Sequence, residues 1–157
     1  MGLSIRNRFA GTVTAVTPGE AMATVRTRLS GGQEITAAIT RDAVEDLGLA
    51  AGSRVRVLIK STEVSLATGT VTGISIRNRL QGRVTAVTSG EAMATVKVAL
   101  KSVPGTGGTG GTEETEEAES TELTAAITRD AVTELGLAAG STVIALIKAT
   151  EIVLATD

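Results

Sequence analysis

The sequence predicts an all-β fold class with one short helix per structural unit, and the unit occurs twice in 157 residues. Three observations support this prediction: a long internal repeat, β-branched runs of alternating polarity between turn residues, and a short helix pattern at the same place in each copy. Hydrophobic residues make up 42% of the chain and Phe9 is its one aromatic residue, so the predicted cores are aliphatic. Small cores of this kind are marginally stable alone, and we therefore expect oligomerisation.

The internal repeat can be aligned from its first polar phrase. SIRNR begins at Ser4 and recurs at Ser75, an offset of 71 positions that also holds for VTAVT and GEAMATV. TAAITRDAV begins at Thr36 and recurs at Thr124, an offset of 88. The difference between the offsets, 17 residues, is an insertion rich in Gly, Thr and Glu, too polar to build a core. The predicted organisation is a first domain 1–68, a linker 69–73, and a second domain 74–157 with the insertion at about 101–122.

Each copy contains five predicted strands, and a short helix lies between the third and the fourth. Thr40 and Thr128 are predicted to cap these helices, which end at Gly48 and Gly136. Five strands with this helix placement are typical of an OB-type barrel, so the chain is predicted to form tandem OB-type five-stranded barrels. The short linker indicates that the barrels pack against each other. In the first copy the predicted strands span 9–16, 21–29, 35–39, 55–59 and 64–67.

Charge and composition exclude several classes of function. The formal net charge of −2 gives no global attraction for nucleic acid or anionic membranes, and neither is an expected partner. Without Cys or His, the chain has no disulfide, no zinc site of the usual kind, no histidine base and no thiol nucleophile. No nucleophile is paired with a base, so we do not expect an enzyme. The N-terminus shows no signal-peptide or membrane-spanning pattern, and we expect a cytoplasmic protein.

Hydrogen-bond donors gather at three places in each copy: before the first strand, at the helix start and after the fourth strand. In the first copy these residues are Ser4, Arg6, Asn7, Thr40, Lys60 and Ser61. Arg and Lys only donate, and a helix start adds free N–H groups. Neither SIRNR nor KST contains a carboxylate that could accept the proton of a phosphate. Brought together, these donors favour a tetrahedral dianion such as molybdate, tungstate or sulfate.

The phrases SIRNR, AITRDAVEDLGLAAGS and VLIKST together resemble the Mop or molbindin family, TOBE-like domains of OB type that bind molybdate and tungstate. Two copies in one chain resemble the tandem molbindins over nearly the whole sequence except 101–122. The resemblance implies domains arranged around a threefold axis, six to an assembly, with oxyanions at interfaces between domains. A two-domain chain would then form a homotrimer of six barrels.

The resemblance also implies which residues hold the anion. In the first copy they are Ser4, Arg6, Lys60 and Ser61, with Thr40 supplied by a neighbouring domain. In the second copy they are Ser75, Arg77, Lys148 and Thr128, with Ala149 in place of Ser61. If that position contributes only its backbone N–H, the replacement is harmless; otherwise the two classes of site differ in affinity. Asn7 and Asn78 are weaker candidates, expected to fix a turn through side-chain to backbone bonds.

The sequence therefore predicts a non-enzymatic cytoplasmic protein that stores molybdate or tungstate as an oxyanion, with no organic cofactor and no metal cation. One alternative is a molybdate-responsive regulatory module that acts through a separate partner. Another is an OB-type nucleic-acid binder, but the single Phe9 and the acidic insertion argue against aromatic stacking and a basic track. Arg8 and Arg79 are assigned structural roles, and the Glu-rich stretch is predicted to be a solvated surface loop.

Overall fold

Antiparallel strands dominate both halves of the molecule in the computed structural model, which describes residues 2–103 and 122–157. We call residues 2–73 the first half, and 74–103 with 122–157 the second half. The described residues form two five-stranded sheets and one short α-helix in each half. The predicted fold class, all-β tandem OB-type barrels with a short helix per unit, is confirmed. Most of the predicted insertion, 104–121, lies outside the described residues.

The elements follow the same order in the two halves, and each 3-10 turn between the last two strands is an element that the sequence pattern did not predict. The first half contains β1 (Asn7–Pro18), β2 (Met22–Leu29), β3 (Glu34–Thr40), α1 (Arg41–Leu47), β4 (Arg54–Ile59), a 3-10 turn (Ser61–Glu63) and β5 (Ser65–Ala67). The second half contains β6 (Asn78–Ser89), β7 (Met93–Leu100), β8 (Glu122–Thr128), α2 (Arg129–Leu135), β9 (Thr142–Ile147), a 3-10 turn (Ala149–Glu151) and β10 (Val153–Ala155).

Local sequence explains where the helices begin and end. The Oγ1 of Thr40 accepts a hydrogen bond from the Ala43 N–H at 3.0 Å, and Thr128 does the same with Ala131 at 3.1 Å. Both helices end where a glycine adopts a left-handed conformation that other residues rarely take, with φ of 64° at Gly48. The predicted caps are therefore present in both copies.

The last strand of each repeat pairs with the sheet of the other repeat. The two sheet orders are β10-β4-β1-β2-β3 and β5-β9-β6-β7-β8. Val153 lies opposite Leu58, and Ser65 lies opposite Leu146. The expectation that Val64–Ala67 completes its own unit is therefore wrong. The boundaries 1–68, 69–73 and 74–157 stay a prediction for the repeats, and strand pairing crosses them.

A 3-10 turn follows β4, closed by the hydrogen bond that the Glu63 N–H donates to the Lys60 carbonyl at 2.9 Å. Val64, which follows, is only 2% exposed and directs the chain towards the other half. Because the repeats are so similar, either sheet offers a suitable position for the strand, as in domain swapping.

The hydrophobic core is continuous across both halves. Fully buried side chains of the first half, such as Val25 and Val57, belong to the same cluster as Val96 and Ile147 of the second. Alternation along β2 and β7 places every second side chain in this core and leaves the others in solvent. The two barrels are therefore packed neighbours, as the short linker predicted.

Candidate functional site

Two cationic side chains lie at neighbouring strand ends in each half. Strand β1 pairs with β4 so that Asn7 lies opposite Ile59, and the next positions along this register are Arg6 and Lys60. In the second half Asn78 lies opposite Ile147, which places Arg77 beside Lys148 in the same way. All four cations are exposed. The register therefore leaves the predicted Arg and Lys of each copy one residue beyond the last pair of the same two strands, which are distant in sequence.

These four cations lack counter-ions within the described part of the chain. Ion pairs there involve Arg26, Arg28, Arg41, Arg56 and Lys97, which all lie elsewhere. Like charges on adjacent strands repel each other and destabilise the pairing. An anion bound between the two would relieve that repulsion and accept hydrogen bonds from both.

The asparagine of each SIRNR phrase joins the two halves. The Asn7 Nδ2 donates to the Thr124 carbonyl and its Oδ1 accepts from the Thr124 N–H, both at 2.8 Å. Asn78 makes the same pair of bonds to Thr36, at 2.8 and 2.7 Å. Both side chains are 3% exposed. The prediction of side-chain to backbone bonds is confirmed, but the partner is a strand of the other half and not a local turn.

The position after the lysine differs between the two copies. Ser61 lies in the 3-10 turn that packs against β8 of the second half. Its Oγ is buried and has no hydrogen-bond partner among the described residues. The equivalent residue, Ala149, sits in the turn that packs against β3 and has no hydroxyl to satisfy. A buried hydroxyl without a partner costs about 1–3 kcal/mol, so Ser61 is a polar group that a ligand could satisfy.

The serines lie near the Arg and Lys at the strand ends in sequence, whereas the capping threonines lie further along their strands. The Ser4 carbonyl accepts a hydrogen bond from Arg6 Nε at 3.0 Å, and the side chains of Ser4 and Ser75 are exposed. Thr40 lies four residues beyond Thr36 on the same strand, about 13 Å at normal strand rise. No hydrogen bond between described residues connects either capping threonine to the Arg and Lys pairs. Within one chain, strand register leaves Arg and Lys at adjacent strand ends, next in sequence to Asn and to the residue after Lys. That these residues and the threonines form one anion site stays a prediction.

The second arginine of each phrase holds the backbone that precedes the first strand. Arg8 donates from Nε to the Ile5 carbonyl at 2.9 Å and also to the Leu3 carbonyl. Arg79 donates to the carbonyls of Ile74 and Ile76, at 2.9 and 3.0 Å. These bonds fix the segment that carries Arg6 or Arg77, in agreement with the structural role predicted for both residues.

Sequence reasoning missed a further contact between the halves. The side chain of Gln33 donates to the carbonyls of Gln81 and Lys101, at 3.1 and 2.8 Å, and accepts from the Gln81 N–H at 3.1 Å. Gln33 lies in the loop where the two copies differ in length, so the repeat gives no signal for it. The loop of the first half is thereby attached to the second.

Two classes of feature are absent from residues 2–103 and 122–157. In these ranges no helix has the length and apolar character that a membrane span requires. Across the same residues, no group of three or more His, Cys, Asp or Glu side chains is placed to hold a metal ion. The Glu-rich stretch lies outside the described residues.

Comparison with known proteins gives a consistent result. The TOBE domain model matches residues 3–66 and 114–154. The chain is 34% identical over 155 residues to the molybdenum transport protein ModE of Azotobacter vinelandii, covering 99% of this chain and 51% of the relative. It is 37% identical over 153 residues to the molybdenum-pterin-binding protein MopB of Rhodobacter capsulatus, covering 97% and 50%. The chain thus spans about half the length of these two relatives.

Two further matches extend over nearly the whole of the matched protein. Molybdenum-pterin-binding protein 3 of Clostridium pasteurianum is 39% identical over 66 residues, which is 42% of this chain and 97% of that protein. Among solved structures, the cytoplasmic molybdate-binding protein ModG, crystallised with molybdate bound, superposes with a TM-score of 0.86 at 34% identity. That match covers 100% of both chains, so the two-unit layout is shared throughout.

Proposed function

Because the chain belongs to the TOBE domain family, we propose that it is a cytoplasmic protein that binds molybdate or tungstate reversibly and stores it. The proposal is supported by the similarity to ModG over the full length of both chains and by the names of the Mop relatives. It involves no organic cofactor and no covalent chemistry, and it needs no nucleic-acid or membrane partner.

The observation that carries this proposal is that Arg6 and Lys60, and likewise Arg77 and Lys148, each lie one residue beyond the last paired positions of two adjacent strands and form no ion pair in the described chain. A tetrahedral dianion between two such cations neutralises both and accepts their hydrogen bonds. Each charge-assisted bond contributes roughly 1.5–3 kcal/mol, so a few donors give tight binding despite the overall negative charge.

The same donors discriminate against phosphate in our proposal. Phosphate keeps at least one proton at neutral pH, and that proton needs an acceptor. Glu63 and Glu151, which lie in the 3-10 turns after the two lysines, form no ion pair among the described residues. We propose that the anion contacts donors alone: Ser4, Ser75, Arg6, Arg77, Lys60 and Lys148, backbone N–H groups, the Oγ of Ser61, and Thr40 or Thr128 of a neighbouring copy.

We also propose that the chain assembles as a homotrimer of six barrels, in which a neighbouring copy supplies Thr40 and Thr128. In support of this, each capping threonine lies four residues, about 13 Å at normal strand rise, beyond the residue that an asparagine binds. In our proposal a neighbouring copy brings its threonine to the cations. Sedimentation velocity with and without molybdate measures the expected association.

Calorimetric titration of the anion-stripped protein with molybdate, in a large excess of sulfate and phosphate, tests the function. We expect saturable binding that survives these competitors. The double variant Arg6→Ala with Arg77→Ala is expected to lose at least about a hundredfold in affinity, since each site loses charge-assisted bonds.

A matched control for this variant is Arg26→Ala with Lys97→Ala. These two residues occupy equivalent exposed positions on β2 and β7, and their removal changes the net charge equally. We expect the control to bind molybdate within about twofold of the parent, because exposed charges at a distance are largely screened. Unchanged affinity in the Arg6 and Arg77 variant would show that the site lies elsewhere.

One observation favours a second function, a molybdate-responsive module that acts through a partner. The chain matches only about half of ModE, so in that relative the matched region is part of a longer protein. A pull-down with the intact chain, with and without molybdate, separates the two proposals. Capture of a specific partner that depends on molybdate supports regulation, and its absence supports storage.

A further inference from the structure

The outer face of the first-half sheet carries a surface cavity of about 660 Å³. None of the residues proposed to hold the oxyanion lines it. Strand β1 runs along its centre with the small side chains of Ala10 and Thr12, and β2 and β4 form its two sides. We call this cavity the first groove. A volume of this size lies within the range of about 300–1,000 Å³ that small-molecule sites occupy.

Three arginines flank the first groove from both sides. Strand register places Thr12 opposite Arg54 on β4 and opposite Arg28 on β2. Arg56 lies opposite Ala10, one outward position further along β4. Since adjacent strands are about 4.8 Å apart, β2 and β4 are separated by about 10 Å across the groove. Guanidinium groups on long side chains can converge over that distance on one anionic ligand.

The carboxylates near these arginines are weak competitors for such a ligand. Arg28 pairs with Glu34 at 3.0 Å and Arg56 pairs with Asp157 at 3.6 Å. Both pairs are exposed, and exposed ion pairs contribute only about 0–1 kcal/mol. Arg54 forms no ion pair with any residue that the structure describes. Asp157 itself lines the groove, so the lining carries three arginines and one aspartate side chain.

The second half has a cavity at the same place, but without counterparts of Arg28, Arg54 and Arg56. A cavity of about 700 Å³ lies at the equivalent place, which we call the second groove. There Ala99, Thr142 and Ile144 stand where the first half has Arg28, Arg54 and Arg56, and its basic residues are Arg83 and Lys101. The second sheet forms without the three arginines, so the fold does not require them. They are a property of the first groove alone.

We propose that the first groove binds a phosphorylated small molecule, with two neighbouring phosphoryl groups held by Arg28, Arg54 and Arg56. The planar guanidinium fork matches phosphate oxygens in bidentate geometry. The hydroxyls of Thr12 and Ser30 also line the groove and can donate to ester or bridging oxygens. The volume is far larger than a single tetrahedral oxyanion needs, and this site is separate from the proposed molybdate site.

The lining also excludes a nucleic acid as the ligand. Recognition of single strands relies on aromatic side chains that stack on bases, and the one aromatic residue, Phe9, is 4% exposed and sits in the core. A compact diphosphate needs no such surface, because its charge alone supplies the attraction.

Calorimetric titration of the intact chain with inorganic pyrophosphate tests this proposal, first in plain buffer at moderate salt and then with saturating molybdate. We expect one pyrophosphate per chain and the same affinity in both titrations. Arg54→Ala is expected to weaken binding roughly tenfold to a hundredfold, the ratio for one charge-assisted contact. Because Arg54 is exposed, this variant should unfold at the same denaturant concentration as the parent, which circular dichroism checks.

Arg83→Ala in the second groove is the matched control, since it removes one exposed arginine from the equivalent face. We expect its pyrophosphate affinity to equal that of the parent. Three results would overturn the proposal: no saturable binding at millimolar pyrophosphate, an equal loss in Arg83→Ala and Arg54→Ala, or displacement of pyrophosphate by molybdate. The last result would place pyrophosphate in the oxyanion site, whereas failure of molybdate to bind at all would contradict only the proposed function.

Discussion

The two halves of the molecule share the asparagine junctions that join them and differ on their outer faces. The asparagines that cross between the halves occur in both copies and make the same bonds. In contrast, the outer positions of β4 carry Arg54 and Arg56 in one half, and the equivalent β9 positions carry Thr142 and Ile144 in the other. Each half completes the sheet of the other, so a change at a shared position affects both. The outer faces have no such constraint.

The largest expected effect is on stability, at the shared asparagines. Asn7→Ala and Asn78→Ala should each lower the free energy of unfolding by about 3 kcal/mol, because two bonds are lost and a peptide group of Thr124 or Thr36 loses its partners. Guanidinium denaturation followed by circular dichroism measures both. Ser75→Ala, at an exposed position nearby, is the control and should change the value by less than about 0.5 kcal/mol. A large effect in one half only would contradict the equivalence of the two junctions.

The next largest effect is expected at a core position where the two halves carry different residues. Exchanging the residues should change the free energy of unfolding in opposite directions in the two halves. Thr27 and Val98 are equivalent and both 0% exposed, and the Oγ1 of Thr27 has no partner among the described residues. Thr27→Val should raise the free energy of unfolding by about 1 kcal/mol, and Val98→Thr should lower it by about 1–3 kcal/mol. The same denaturation experiment measures both. Changes of the same sign would mean that Thr27 has a partner in solution.

The residue after the lysine should make the two proposed oxyanion sites unequal. Ser61→Ala is expected to weaken molybdate binding about tenfold at one class of site, because the variant lacks the buried hydroxyl that would bond to the anion. Ala149→Ser should strengthen the other class. Calorimetry resolves the classes as two steps in one isotherm. Thr62→Ala, the exposed neighbour, is the control, and identical isotherms for the Ser61 variant and the parent would restrict this position to its backbone N–H.

The smallest effect is expected at the ion pairs between β2 and β3 and between β7 and β8. Arg28 pairs with Glu34 at 3.0 Å, whereas Lys97 pairs with Glu122 at 3.8 Å, and all four side chains are substantially exposed. Glu34→Gln and Glu122→Gln should each cost less than about 1 kcal/mol at low salt. At 1 M NaCl the difference from the parent should vanish because of screening. An effect that persists at high salt would point to a role beyond charge.

The strands, helices and packed arrangement could be predicted because they depend on local patterns. Alternating β-branched residues define β2 and β7, and a capping threonine followed eight residues later by a glycine defines each helix within the repeat. The exchange of β5 and β10 could not be predicted in this way. Both repeats carry nearly the same strand pattern, so the sequence does not distinguish pairing within a repeat from pairing between repeats.

For the candidate site, only the types of residue could be predicted from the sequence, and not their arrangement in space. The donors in SIRNR and KST were recognisable, but their meeting depends on the register of β1 against β4, which joins Asn7 to Ile59 across 52 positions of sequence. The partners of the asparagines lie still further away, with 117 positions between Asn7 and Thr124. The arginines of the first groove carry no motif at all, because they are separate residues on two strands that meet only in the folded sheet.

The exchanged strands also set the order in which a newly made chain can fold. Leu58 on β4 pairs with Val153 on β10, so the first sheet has an open edge until Val153 has been synthesised. At about 5–20 residues per second, translation needs roughly 5 to 20 seconds to cover this stretch. During that interval the incomplete edge of β4 can pair with the free fifth strand of another nascent chain. Slower translation therefore lengthens the time during which one chain can exchange strands with another.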